Sequence, residues 1–272
     1  MGILETICDE RKADAARNRR ERPPSSLERS AGLPRPSFAP RLQDGASPLL
    51  IAECKKASPS RGLLVEDYDP VALASAYERG GAGMLSVLTE PRRFLGADEH
   101  LRSVRSAVKL PVLRKDFTID PYQVLEAWSI GADAILLIAA ALSEAQLLEL
   151  AAAARELELA VLVEVHEESE LERAVAAASE AIGVNSRDLR DFRIDASAAR
   201  TMIRLLPEDC LRVAESGMRS PEDAAALLAV GYRGFLVGEA LAASADPETR
   251  TREFAAALAS APAYGVSERI DP

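Results

Sequence analysis

Residues 134–164 read AILLIAAALSEAQLLELAAAARELELAVLVE. A five-residue apolar run, AILLI, is followed by a segment from Ser143 to Glu158 rich in Ala, Leu and Glu, and then by a second apolar run, AVLVE. The outer runs have strand length and composition, and the middle one opens with a helix-starting serine and consists of strong helix formers. This is a strand–helix–strand unit, the building block of a parallel sheet. The same alternation holds on both sides, with apolar runs beginning at Leu49, Met84, Val112, Ala134, Ala160, Ala181, Leu211 and Gly234. Eight repeats without a long interruption predict a (β/α)8 TIM barrel of the α/β class rather than an open doubly wound sheet.

The barrel is expected over residues 49–260, preceded by an extension (1–48) and followed by a tail (261–272). The extension reads as a helix from Ile3 to about Arg22 and a Pro/Ser-rich link that packs over one end of the barrel. The basic cluster Arg17–Arg22 reads as a solvated helix face. Gly80, Gly131 and Gly231 fall just past helix ends, where a left-handed cap is expected.

A hydrophobic content of 48% with 28% charged residues fits a soluble globular chain. No apolar run reaches the roughly 18 residues of a membrane span, and the charged N-terminus is unlike a signal peptide. Cys8, Cys54 and Cys210 lack zinc or disulfide spacing, which fits the cytoplasm. The net charge of −10 disfavours nucleic acid as a partner.

Barrel chemistry sits at the carboxyl ends of the strands. There the sequence places Glu53 and Lys55 after the first strand, Lys115 after the third, Glu164 after the fifth, Asn185 after the sixth, and Glu215 with Ser216 after the seventh. Any one of these could be a structural ion pair, but so many charges converging on a packed interior need one another or a ligand. Ser216-Gly217-Met218 and Gly238-Glu239-Ala240 suit a phosphate held by backbone N–H groups, with the Glu239 side chain expected to point away. His100 and His166 lack ligand spacing and read as ordinary surface residues, and no metal site is expected.

The segment 51–60, IAECKKASPS, resembles the signature of indole-3-glycerol-phosphate synthases. So do LSVLTE (85–90), PVLRKDF (111–117), LVEVH (162–166), IGVNSRDL (182–189), AESG (214–217) and VGE (237–239), in order and spacing. The resemblance runs from the N-terminal helix to the end of the barrel. It implies closure of the indole ring in tryptophan biosynthesis: 1-(2-carboxyphenylamino)-1-deoxyribulose 5-phosphate becomes indole-3-glycerol phosphate, carbon dioxide and water, without metal or organic cofactor.

By the same resemblance Lys115 is the general acid and Glu164 the base, Lys55 binds the substrate carboxylate, and Glu53 holds that lysine. Asn185 and Glu215 orient the substrate, Ser58 lies near its polar end, and Ser216, Gly217, Gly238, Glu239 and Arg187 serve the phosphate and substrate. Phe94, Leu95, Phe117, Ile138 and Leu189 are the candidates for an apolar anthranilate slot, although Leu95 stands where many relatives carry phenylalanine. The implied partner is a small phosphosugar. Contact with other tryptophan-pathway enzymes stays open.

Two other functions fit the sequence less well. A phosphoribosylanthranilate isomerase would use a Cys/Asp pair, and Cys54 alternates away from the interior between Glu53 and Lys55. A catalytically silent phosphate-binding barrel would not need two lysines and three glutamates converging.

Overall fold

The computed structural model describes residues 2–28, 47–177, 180–188 and 193–260. Its barrel strands are β1 (Leu49–Cys54), β2 (Met84–Leu88), β3 (Val112–Lys115), β4 (Ala134–Ile138), β5 (Ala160–Val165), β6 (Ala181–Asn185), β7 (Leu211–Glu215) and β8 (Gly234–Val237). They form a closed parallel barrel in sequence order, with β1 pairing to both β2 and β8. The eight apolar runs are thus the eight staves.

Side chains along each strand alternate between two apolar layers, as the period of two requires. Ile51, Met84, Leu113, Leu136, Leu162, Val213 and Leu236 fill the barrel. Leu50, Leu85, Ile135, Val163, Ile182 and Phe235 face the helical layer, as does Cys54.

The helices start where the sequence supplies caps. The Asp69 carboxylate accepts the Val71 and Ala72 N–H groups at the start of α2 (Pro70–Arg79), and Ser143 forms a capping box with Gln146 at the start of the helix Glu144–Glu156. Gly131 and Gly231 adopt the expected left-handed conformation, with φ of 92° and 114°. At the first boundary, however, it is Gly81 (φ 94°) that does so. Gly80 stays helical, and the helix Pro247–Ser260 packs so close that a Cβ there would lie 2.6 Å from Thr251 Cβ.

The N-terminal helix α1 (Ile3–Glu21) lies across the loops that follow β2 and β3. Ile7 is buried against the interior layer. Arg11 makes a two-pronged ion pair with Asp116 (Nε–Oδ1 3.0 Å, Nη2–Oδ2 2.7 Å), while Glu10 and Asp14 hold Arg93 and Arg92. The basic cluster is not simply a solvated face. Arg19 pairs with Asp120 and Arg22 with Glu126, so the positive charge on α1 meets carboxylates of the barrel. Among the described residues of the link, Pro24–Ser26 form a 3-10 turn; residues 29–46 and the 261–272 tail lie outside the described residues. Among the described residues no helix is long and apolar enough to cross a membrane.

Candidate active site

At the carboxyl end of the barrel lies a cavity of about 730 Å³. Lys115 ends β3 and points into it, its ammonium 2.7 Å from Glu164 Oε2 and 3.3 Å from Glu215 Oε2. Burial works against the charge on Lys115, but Glu164, Glu215 and Glu53 outweigh it and raise its pKa. Burial also opposes ionisation of Glu164. Lys115 and His166 overcome that and bring the carboxyl down to about 2.

Glu215 behaves differently. Burial, against the pull of Lys115 and with the push of Glu164, raises it to about 8. Although Oε2 is near Lys115, neither oxygen has a hydrogen-bond partner among the described residues. These shifts favour an ammonium at Lys115, a carboxylate at Glu164 and, at Glu215, a carboxyl that holds its proton more tightly than an ordinary glutamate. Glu53 and Lys55 form a second pair beside it at 2.6 Å.

Two glycines make room for these carboxylates, and the sequence reading gave only one of them a role. A Cβ on Gly183 of β6 would overlap Glu215 Oε1. A Cβ on Gly238 would overlap Glu53 Oε1 and come within 3.0 Å of Lys55 Nζ, so Gly238 seats the Glu53–Lys55 ion pair as well as lining the cavity.

The polar end of the cavity is lined by Ser58, Arg187, Ser216, Gly217, Gly238 and Glu239. Ser58 is held in a short hairpin, 57–58 against 62–63, and accepts the Arg61 N–H. Ser216 and Gly217 are both left-handed, with φ of 62° and 79°. For a non-glycine residue this is uncommon and concentrates at functional turns. Glu239 does not point away. Its carboxylate takes Arg61 at 3.1 Å and Arg187 at 3.1 Å, so two guanidinium groups offset its charge.

The apolar wall includes Phe94, Phe117 and Ile138, with the two phenylalanine rings 6.3 Å apart at 40°. Leu95 is not part of it. The Glu90 carboxylate accepts the N–H groups of Arg92, Arg93 and Phe94, and the turn places Leu95 at φ 52° and 42% exposed while Phe94 faces inward. Leu189 lies outside the described residues. Arg61, Arg219 and Arg250 line the cavity unanticipated. Arg61 follows the quoted SPS, but Arg250 belongs to the helix Pro247–Ser260, where no local signal marks it.

His166 is not a surface residue either, since both ring nitrogens are buried beside carboxylates. Among the described residues no cluster of His, Cys, Asp and Glu is arranged to hold a metal ion.

Residues 4–254 match the family model described as indole-3-glycerol phosphate synthase. An indole-3-glycerol phosphate synthase of Azospirillum brasilense is 46% identical over 255 residues, 92% of this chain and 97% of its own. One from Leifsonia xyli subsp. xyli is 49% identical over 245 residues, 89% of this chain and 93% of its own. Among solved structures, 3-hexulose-6-phosphate synthase from Salmonella typhimurium superposes with a TM-score of 0.64 at 14% identity, over 77% of this chain and 98% of that one, a likeness of fold alone.

Proposed function

Since the chain belongs to the indole-3-glycerol phosphate synthase family of carboxy-lyases, we propose which of its side chains carry the reaction. The conversion of 1-(2-carboxyphenylamino)-1-deoxyribulose 5-phosphate to indole-3-glycerol phosphate is a step of tryptophan biosynthesis. The observation that carries our assignment is the meeting of Lys115, Glu164 and Glu215 within 3.3 Å on the cavity floor, with Lys55 and Glu53 alongside.

When the ring carbon bearing the carboxylate attacks the ribulose carbonyl, Lys115 donates a proton to the developing alkoxide. Loss of carbon dioxide then restores the benzene ring. Dehydration follows: the hydroxyl leaves as water with a proton from Lys55, and Glu164 removes a carbon-bound proton to complete the pyrrole ring. The two steps are linked electrostatically. Once Lys115 has given up its proton, the charge that held Glu164 so acidic is gone, and the carboxylate becomes a stronger base.

Lys55 also binds the substrate carboxylate, positioned by Glu53, and the protonated Glu215 and Asn185 donate to the substrate's hydroxyls and amine. Ser58, Arg187, Ser216 and Gly217 with the backbone at Gly238 and Glu239 receive the phosphate, and Phe94, Phe117 and Ile138 the anthranilate ring. Three free cysteines support a cytoplasmic setting.

The test is the fluorescence rise of the indole product on adding this substrate to purified protein with a chelator present. Turnover that disappears in Lys115→Ala is expected. Saturable binding without turnover in the wild type would move the reading to a silent phosphate-binding barrel.

A further inference from the structure

The mechanism gives no task to the titratable side chain that lies against its base. His166 immediately follows β5, and neither of its shielded ring nitrogens has a hydrogen-bond partner among the described residues. Each nitrogen nevertheless faces a carboxylate. Nε2 lies 3.4 Å from Glu164 Oε1, and Nδ1 lies 3.8 Å from Glu170 Oε2. Glu170 is itself fixed, accepting the His166 backbone N–H at 2.6 Å with Arg173 3.7 Å away.

An imidazole in this place is costly as packing. A buried polar atom left without a partner is destabilising, whereas an apolar ring would fill the same space without that penalty. Local rules broken in this way mark functional positions. The Glu164 carboxylate is bracketed, with Lys115 on Oε2 and His166 on Oε1.

We propose that His166 is a positioning residue for Glu164, holding the carboxylate through Oε1 so that Oε2 stays aimed at the reacting centre after Lys115 has released its proton. Before that release the ammonium on Oε2 and the Asn185 amide fix the carboxylate. Afterwards Lys115 carries no charge, and His166 on the Oε1 side joins Asn185 in limiting rotation at the moment the carboxylate must act as base. Shortening of the 3.4 Å gap by a few tenths of an ångström makes Nε2 a hydrogen-bond donor to Oε1. This inference rests on Glu164 acting as the base.

Three variants test it. In His166→Phe, which keeps ring volume and removes both nitrogens, kcat is expected to fall roughly tenfold to a hundredfold with KM within about threefold. The acid limb of the kcat/KM profile moves to higher pH, because His166 is one of the charges that depress Glu164 alongside Lys115, while Glu215 and Asn185 face it from β7 and β6. His166→Gln, whose amide can donate to Oε1, recovers part of the loss and serves also if the phenylalanine variant misfolds. Glu164→Gln separates the two readings. Retained turnover in Glu164→Gln refutes the base itself. Abolished turnover there, with both His166 variants within about twofold of wild type and an unmoved acid limb, overturns the positioning role alone.

Discussion

Arg114 and Lys115 are neighbours on β3, point to opposite faces, and belong to two buried charge clusters built to opposite ends. Arg114 looks outward into the layer between sheet and helices. Its guanidinium donates to Thr89 Oγ1 (3.1 Å), the Gln123 carbonyl (3.0 Å), Asp98 (2.8 Å) and Glu126 (2.9 Å), and Asp116 accepts from Arg11, Thr89 and its own neighbour's N–H at Phe117. Lys115 looks inward to a cluster in which, among the described residues, both oxygens of Glu215 lack hydrogen bonds and Oε2 has only the 3.3 Å ion contact with Lys115. A stabilising cluster saturates its donors and acceptors internally, whereas a catalytic one keeps some for the substrate.

The largest effect that would break this contrast is on turnover. Lys115→Ala is expected to lower kcat by roughly 10²–10⁴-fold while the fold and phosphate affinity persist, as read by steady-state kinetics, circular dichroism and phosphate competition. Near-normal turnover removes Lys115 from its role as acid. The counterpart on the outer face is Arg114→Met. It leaves Asp98, Asp116 and Glu126 without their shared cation and should destabilise the protein by about 3–5 kcal/mol in urea titrations. A stability within 1 kcal/mol of wild type would dissolve the distinction between the two faces.

A smaller effect sharpens the contrast from the side of shape. Gly183→Ala should displace Glu215, lowering kcat roughly tenfold or more while costing about 1–3 kcal/mol of stability. Unchanged kinetics would mean that the present seat of Glu215 is immaterial.

The subtlest concerns pH. With its carboxyl raised from 4.5 to about 8, native Glu215 keeps a proton that the unfolded chain has already released between those values. Its contribution to stability is therefore full below about pH 4.5 and falls as pH rises through about 8. Glu215→Gln removes that decline, so melting curves collected from pH 5 to 9 should fall less steeply for the variant; parallel curves would contradict the burial-raised pKa.

The staves and their polar ends were legible because both follow from local pattern: an apolar run gives the strand, and the residue that ends it gives the cavity floor. What escaped depends on contacts remote in the chain. Arg11 meets Asp116 across 105 residues, and no periodicity in α1 announces that partner. Arg250 enters the cavity wall from the last helix for the same reason. Leu95 was misplaced because its direction depends on how Glu90 ties the loop, which spacing after a strand does not encode. His166 was read as exposed because a histidine one step past a strand carries no mark of what will cover it.

Gly183 and Gly238 contribute to the site through bare backbone rather than through any group of their own. Grafting this chemistry onto another eight-stranded scaffold would therefore require transplanting two vacancies together with the charged residues. A recipient with alanine at either place would receive the right side chains and hold them in the wrong geometry.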